Sequence, residues 1–291
     1  MEANKTKKLR SKRRVERTSN AVGYVILTVI SIIWIIPYFY LILQSFRGEP
    51  GAYTTYLIPK EFTIDNYVKL FTDKSLFNFP RWYANTFITA LFVCVIQTVI
   101  VLATSFALSR MRFRGRKGLM NLLLVLGMFP GFMSMTAVYF VLKEIGLTQS
   151  LVGLILVYVA SSAMGYYISK GFFDTIPKSL DEAAKIDGAS QHTIFFKIIL
   201  PLAKPIVVYT VLTAFLAPWG EYMFSSLLMF GDQTKFNVAN GLRQMLQREN
   251  IAQYFTRFCA GAVLVSVPIA ALFIWLQKYY VEGVTGGAVK G

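Results

Sequence analysis

Few residues in this chain have the types and spacing that chemistry needs. His192 is the only histidine, and Cys94 and Cys259 both fall inside apolar runs. No cysteine–histidine cluster is therefore available for a catalytic metal, and no metal site is expected. GGAVKG (286–291) carries glycines and a lysine. It lacks the Ser or Thr and the following helix of a phosphate-binding loop, so nucleotide hydrolysis by this chain is not expected. One acid lies deep in an apolar run, Glu221 in APWGEYMF (217–224). Counted along a helix from Pro205 it falls about 24 Å in, near one end of a ~30 Å hydrocarbon layer. Two roles fit it: a cavity-facing acid on a pathway, or an interfacial acid meeting water or Arg243. Trp219 and Tyr222 beside it offer aromatic faces for a sugar, although aromatic belts at membrane interfaces have the same composition.

The most organised polar stretch is SLDEAAKIDGASQHTIFFKIILP, residues 179–201. Ser179 and Glu182 have the spacing of a capping box, which predicts a helix from about Leu180 to Asp187. Gly188 then stands where a left-handed cap is wanted. Leu180, Ala183 and Ala184 share one face, kept flat enough by the alanines for another protein to approach. A second short helix is expected from about Gln191 to Leu200, anchored by Phe195, Phe196, Ile198 and Ile199 and ended by Pro201. A docking helix and an interfacial linker both satisfy this spacing.

The elements around these residues read as membrane. The chain is 55% hydrophobic and only 15% charged, against about 25% charged in soluble domains. Six apolar runs, at about 21–43, 84–109, 118–142, 149–169, 203–230 and 258–281, are long enough to cross a bilayer as helices. The expected fold class is all-α: a polytopic integral membrane protein of six transmembrane helices over 21–281. A basic, flexible tail (1–20) precedes them and a short tail (282–291) follows. Loops 47–83 and 231–257 fall on one side and 170–201 on the other, with a short helix expected at TIDNYVKLF (63–71) capped by Asp65. Lys and Arg concentrate on the side holding both termini, most sharply at RMRFRGRK (110–117) against LKEIGLT (142–148). Both termini are therefore expected to be cytoplasmic. That asymmetry also accounts for the net charge of +15, so no nucleic-acid partner is expected. Pro37, Pro130, Pro218 and Pro268 lie in or near the runs, as kinks or as gating bends.

Glu182, Ala183, Ala184, Gly188, Ile198, Leu200 and Pro201 follow the order E-A-A, three residues, Gly, nine residues, I-x-L-P. That order resembles the signature of the membrane-spanning subunits of ABC importers. The resemblance extends over nearly the whole chain, through NTFITALFVCVIQTVIVLATSFALSRMRFRGR (85–116), IPKEFTIDNYVKLF (58–71) and QKYYVEGVTGGAVKG (277–291), toward the carbohydrate branch. Within that branch MFPGFMSM and KGFFDTIPKSLDEAA look most similar to the six-span permease subunits of maltose and maltodextrin systems. The resemblance implies a non-catalytic subunit that binds no cofactor, placed in the cell membrane. Its partners would be a second permease subunit, two ATP-hydrolysing subunits carrying ATP and Mg, and an extracellular or periplasmic sugar-binding protein. Residues 180–188 would be the helix that couples to an ATPase subunit, with Gly287 and Lys290 in the tail as a second contact. Loop 231–257, with Arg243, Gln244 and Gln247, would meet the binding protein. Trp219, Glu221 and Tyr222 are pathway candidates, although the resemblance places the sugar mostly on the partner permease. Maltodextrin is the expected cargo, with galacto- and arabino-oligosaccharides sharing the pattern. An ion-coupled carrier, the alternative, calls for midplane charges that the sequence lacks.

Overall fold

The computed structural model describes residues 2–288 apart from Tyr53 and Thr55, with side chains described from Thr18 to Tyr279. The described residues form helices joined mostly by short links, the longest running from Phe46 to Ile64, where a lone antiparallel bridge pairs Arg47 with Phe62. In order they are α1 (Glu2–Ser45), α2 (Asp65–Thr72), α3 (Phe79–Arg110), α4 (Arg116–Met128), α5 (Gly131–Glu144), α6 (Leu151–Ala160), α7 (Ala163–Thr175) and α8 (Ser179–Ile186). There follow α9 (Gln191–Thr193), a π-helical stretch (Ile194–Ile199), α10 (Leu200–Leu202), α11 (Lys204–Gly220) and α12 (Met223–Leu228). A 3₁₀ turn (Gln233–Lys235), α13 (Val238–Met245) and α14 (Ile251–Ala288) complete the chain. Helix continues back to Glu2, so the backbone of the basic segment expected as a flexible tail forms the first turns of α1.

Three helices are each long and apolar enough to cross a membrane: Thr18–Ser45, Phe79–Arg110 and Ile251–Tyr279. Two of the other expected spans, 118–142 and 149–169, fall on pairs of helices bent at a break. The third bent pair joins residues 191–202 to α11, whereas the run expected as a span over 203–230 is broken at Glu221 into α11 and α12. The count reaches six if each bent pair is one span. α4 and α5 meet at 103°. There Phe129, restricted by the following proline, is extended (ψ 129°), and Pro130 starts α5. α6 and α7 meet at 43° with no proline between them. Instead the hydroxyls of Ser161 and Ser162 at the break donate back to Val157 O and Val159 O, competing locally with the helix ladder, although Val157 O also keeps its bond from Ser161 N (2.9 Å). Residues 191–202 and α11 meet at 86°, at Ala203. Pro37, Pro218 and Pro268 lie within continuous helices, so Pro130 alone among the four stands at a break.

α3 is the central strut, packing on α6, α7, α11 and α13. Two clusters of buried side chains flank it. One, at its N-terminal end, gathers Phe79, Trp82, Trp219, Phe224, Val238 and Met245. The other, at its C-terminal end, gathers Phe106, Phe173, Ile176, Ala184, Ile194 and Ile199. α1 differs: its apolar residues from Val22 to Phe39 are exposed, and α14 is its main neighbour. A helix with apolar residues around its circumference suits a lipid surface.

α2 forms where expected, but Asp65 is its first residue rather than its cap, and the Thr63 hydroxyl accepts from Asp65 N (3.1 Å). After it, Asp73 Oδ2 accepts from Arg257 Nη1 (2.7 Å), tying the 47–78 segment to the start of α14. Hydrogen bonds from Ser75, then from Arg257, hold the Asp73 carboxyl at about 2, below its ordinary 3.8. A carboxyl lowered on folding stabilises above its unfolded pKa, and that contribution fades as pH falls through the folded value. This tie should therefore hold at pH 4 and release only as pH approaches 2. Hydrogen exchange of the 65–78 amides would report it; release near pH 4 would contradict the assignment.

Candidate functional site

α8 begins one residue earlier than a capping box at Ser179 requires. Lys178 is already helical (φ −68°, ψ −21°), and its carbonyl accepts from Asp181 N (3.0 Å) and Glu182 N (3.1 Å). Ser179 is thus the first helical residue and makes no side-chain cap. The C-terminal end follows expectation. Gly188 has φ +78°, Gly188 N donates to Lys185 O (3.0 Å), and Ala189 N donates to Ala184 O (2.9 Å). These two bonds make a Schellman motif around a left-handed residue, where a side chain would be strained.

The faces of α8 differ from the expected division. Ala184 and Asp181 are buried against the chain's own core. Leu180, Ala183 and Asp187 share the exposed face, with Ile186 (87% exposed) beside it. Only one of the two alanines is therefore free to meet another surface. Glu182 is exposed on the opposite face, one turn from Lys178 and Lys185.

The π-helical stretch anchors this unit. Ile194 and Ile199 are fully buried, and Ile198 and Leu200 pack at the edge of the same cluster. Pro201 is exposed and does not end the helix, which continues to Leu202. Pro201 has no N–H to return to Lys197, and just before it the backbone widens, with Leu200 N reaching back five residues to Phe195 O.

The residue that fixes α8 most firmly was not identifiable from the motif. Arg110, the last residue of α3, places Nε 3.4 Å from Asp181 Oδ2, with side chains 2% and 8% exposed. Its Nη2 also donates to Phe173 O (2.9 Å) and Ile176 O (2.8 Å), binding the C-terminal end of α7. One residue earlier, Ser109 Oγ donates to Asp174 Oδ1 (2.6 Å), and Lys170 pairs with the same carboxylate. α3, α7 and α8 are thus clasped at one point by a buried guanidinium. A sequence signal existed only weakly, as a charged residue closing a long apolar run.

At the other end of α3 the pathway candidates separate. Trp219 is buried (3% exposed) and its ring packs on Tyr83, Phe87 and Phe215 within this chain. Glu221 lies at a break between α11 and α12, in extended backbone. Its carboxylate accepts from Phe224 N (2.6 Å) and Ser225 N (2.9 Å), and from Tyr158 Oη (3.1 Å). The charge therefore satisfies the first-turn donors of α12. Arg243 is not among its partners. Tyr222 alone of the three lines a cavity of about 480 Å³, with Ser226, Phe230, Phe236, Asn240 and Gln244. Within 231–257, α13 ends at Met245 and helix resumes at Ile251. Arg243 and Gln247 are exposed, while Gln244 is partly buried. Gly287 falls in the last turn of α14, and Lys290 lies outside the described residues.

Comparison with known proteins bears on the whole arrangement. Residues 99–286 match the family model described as binding-protein-dependent transport system inner membrane component. The chain is 37% identical over 270 residues to the galactooligosaccharides transport system permease protein GanQ of Bacillus subtilis (strain 168), covering 92% of this chain and 95% of that one. It is 36% identical over 269 residues to the maltodextrin transport system permease protein MdxG of the same organism, with the same coverage. Among solved structures, a chain of a bacterial ABC transporter that imports the acidic polysaccharide alginate superposes with TM-score 0.75 at 23% identity, covering 92% of this chain and 98% of that one, which bears on the fold. With these relatives, the spans and the motif agreeing, the chain is a multi-pass cell-membrane protein and belongs to the family of binding-protein-dependent transport system inner membrane components.

Proposed function

We propose that this chain is one of two membrane-spanning subunits of an ATP-driven oligosaccharide importer. α8 docks on an ATP-hydrolysing subunit, and both termini lie on the same, cytoplasmic side. The observation that carries this reading is the built geometry of α8. It is a short helix closed by a left-handed glycine and clasped to α3 and α7 by a buried ion pair, yet it leaves Leu180, Ala183 and Ile186 uncovered. A helix held that rigidly with an apolar strip exposed is suited to receive a push from a partner and pass it on. The second permease, two ATPase subunits and a sugar-binding protein are the partners this role calls for. ATP and Mg belong to the ATPase. Tyr222 is the residue of this chain placed to touch a passing sugar, whereas Trp219 and Glu221 position the break beside it. Arg243 and Gln247 are offered to the binding protein. The tail residues Gly287 and Lys290 are proposed as a second ATPase contact.

Maltodextrin is the cargo favoured by the motif resemblance. Galacto-oligosaccharide is the second reading, favoured by the relative at 37% identity. Vesicles containing this chain with its neighbouring permease, ATPase and binding protein should take up radiolabelled maltotriose only with ATP, with galactotriose run in parallel. Gly188→Val, which places a β-branched residue at φ +78°, should cut uptake at least tenfold and reduce co-purification of the ATPase. Uptake that persists without ATP would overturn the importer reading. Uptake of galactotriose alone would replace the cargo and keep the mechanism.

A further inference from the structure

Beside the clasp lies a cavity of about 510 Å³ that the coupling role does not use. Five cations line it: Arg110, Arg112 and Arg116 from the end of α3 and the link to α4, and Lys178 and Lys185 from α8. Two acids, Asp181 and Glu182, also face it, leaving an excess of three positive charges. Arg110 is the decisive member. It lines the cavity with a side chain only 2% exposed, and its buried Nη1 has no hydrogen-bond partner. A buried guanidinium nitrogen left without an acceptor is costly, and an oxyanion in the cavity would supply one. Lys178, Asp181, Glu182 and Lys185 follow i, i+3, i+4, i+7 spacing and form the cavity-side face of α8. Leu180, Ala183 and Asp187 lie on its opposite face, so an occupant here leaves the docking strip free.

A second cleft shares Arg112 and Arg116 with the first and is otherwise lined by Phe113, Met120, Lys117 and glycines. Phe113 and Leu119 nearby are exposed apolar side chains. Cations grouped with exposed apolar residues at the end of a membrane helix match an amphiphile better than a free anion. We propose that the cleft between the α3–α4 link and α8 binds the phosphate of an anionic phospholipid, with Arg110, Arg112 and Arg116 as its principal partners. The leaflet follows from the orientation proposed above; the site itself does not depend on it. A headgroup held there touches α3, α4 and α8 together, so it would tune the seat of the docking helix.

The purified full-length chain in detergent would be titrated with dioleoylphosphatidylglycerol and with dioleoylphosphatidylcholine, and retained lipid read by native mass spectrometry. Preferential retention of the glycerol lipid is expected. Arg112→Gln with Arg116→Gln should weaken it roughly 25-fold, about fivefold per cation. The charge-matched control Lys143→Gln with Lys235→Gln, remote from the cleft, should leave it unchanged. Equal retention of both lipids, or an equal loss in the control, would overturn the site. Displacement of the lipid by millimolar inorganic phosphate would overturn the lipid as occupant and assign the cleft to a free anion. Because the readout is binding to this chain alone, failure of the importer reading would not alter the result.

Discussion

Asp181→Ala is expected to abolish ATP-driven uptake while the basal ATPase activity of the assembled complex persists. The substitution removes the counter-charge of Arg110 and leaves a guanidinium that is 2% exposed with two carbonyl acceptors and no carboxylate. Stripping one partner from a buried ion pair costs about 3–5 kcal/mol, and the open cavity beside this pair places the effect toward the lower end. The loss falls at the joint between α8 and α3, so the docking helix should detach before the bundle unfolds. Replacing both partners, Arg110→Met with Asp181→Leu, removes the unpaired charge and should recover part of the thermal stability. Recovery should be incomplete, because Phe173 O and Ile176 O lose the bonds from Arg110 Nη2, with only Phe173 O keeping a second donor in Ile176 N. Full uptake in Asp181→Ala would show that the clasp does not transmit movement.

The second large effect is expected at Gly241→Val. A Cβ on Gly241 would fall 1.9 Å from Trp82 Cε3 and 2.2 Å from Cδ2. The indole cannot swing aside freely: it is 1% exposed, and its Nε1 donates to Gln233 O (2.9 Å). Asn85 Nδ2 holds Thr234 O and Phe236 O nearby (both 2.9 Å), and Thr86 Oγ1 accepts from Val238 N (2.7 Å). Overpacking usually costs about 1–3 kcal/mol, and this rigid seam should bring the cost to the top of that range or above. Membrane yield and thermal stability should both fall. Gly171→Ala in α7, where an added Cβ meets nothing within 4 Å, is the control and should be neutral or slightly stabilising. Equal behaviour of the two would mean that α13 does not pack on Trp82 as described.

The long spans were legible because uninterrupted apolar runs have few other uses, and α1, α3 and α14 appear where the runs lie. Gly188 was legible because a helix stop beside E-A-A calls for a residue that tolerates positive φ. The breaks were less so. Pro130 announces its own, but the bend after Ala160 falls at two serines that read as ordinary small residues. The start of α8 was misplaced because Ser179 and Glu182 satisfy a local pattern, while Lys178 was already committed to helix. Glu221 could not be assigned without the break that it caps. The clasp escaped for a simpler reason: Asp181 reads as one more acid in a polar helix, and its partner is 71 positions away.

α3 has its two fixed points near its ends, Trp82 locked against α13 and Arg110 locked against α8. They are separated by 28 residues of unbroken helix, or about 42 Å. Such a rod acts as a lever. Pivoting by 5° about the Trp82 seam sweeps the Arg110 end through roughly 3.7 Å, comparable to a side-chain diameter. Small rotations of α8 on a partner would thus need no flexible relay in order to be felt on the far side of the bundle. The stiffness of one helix sets the gearing between the two surfaces.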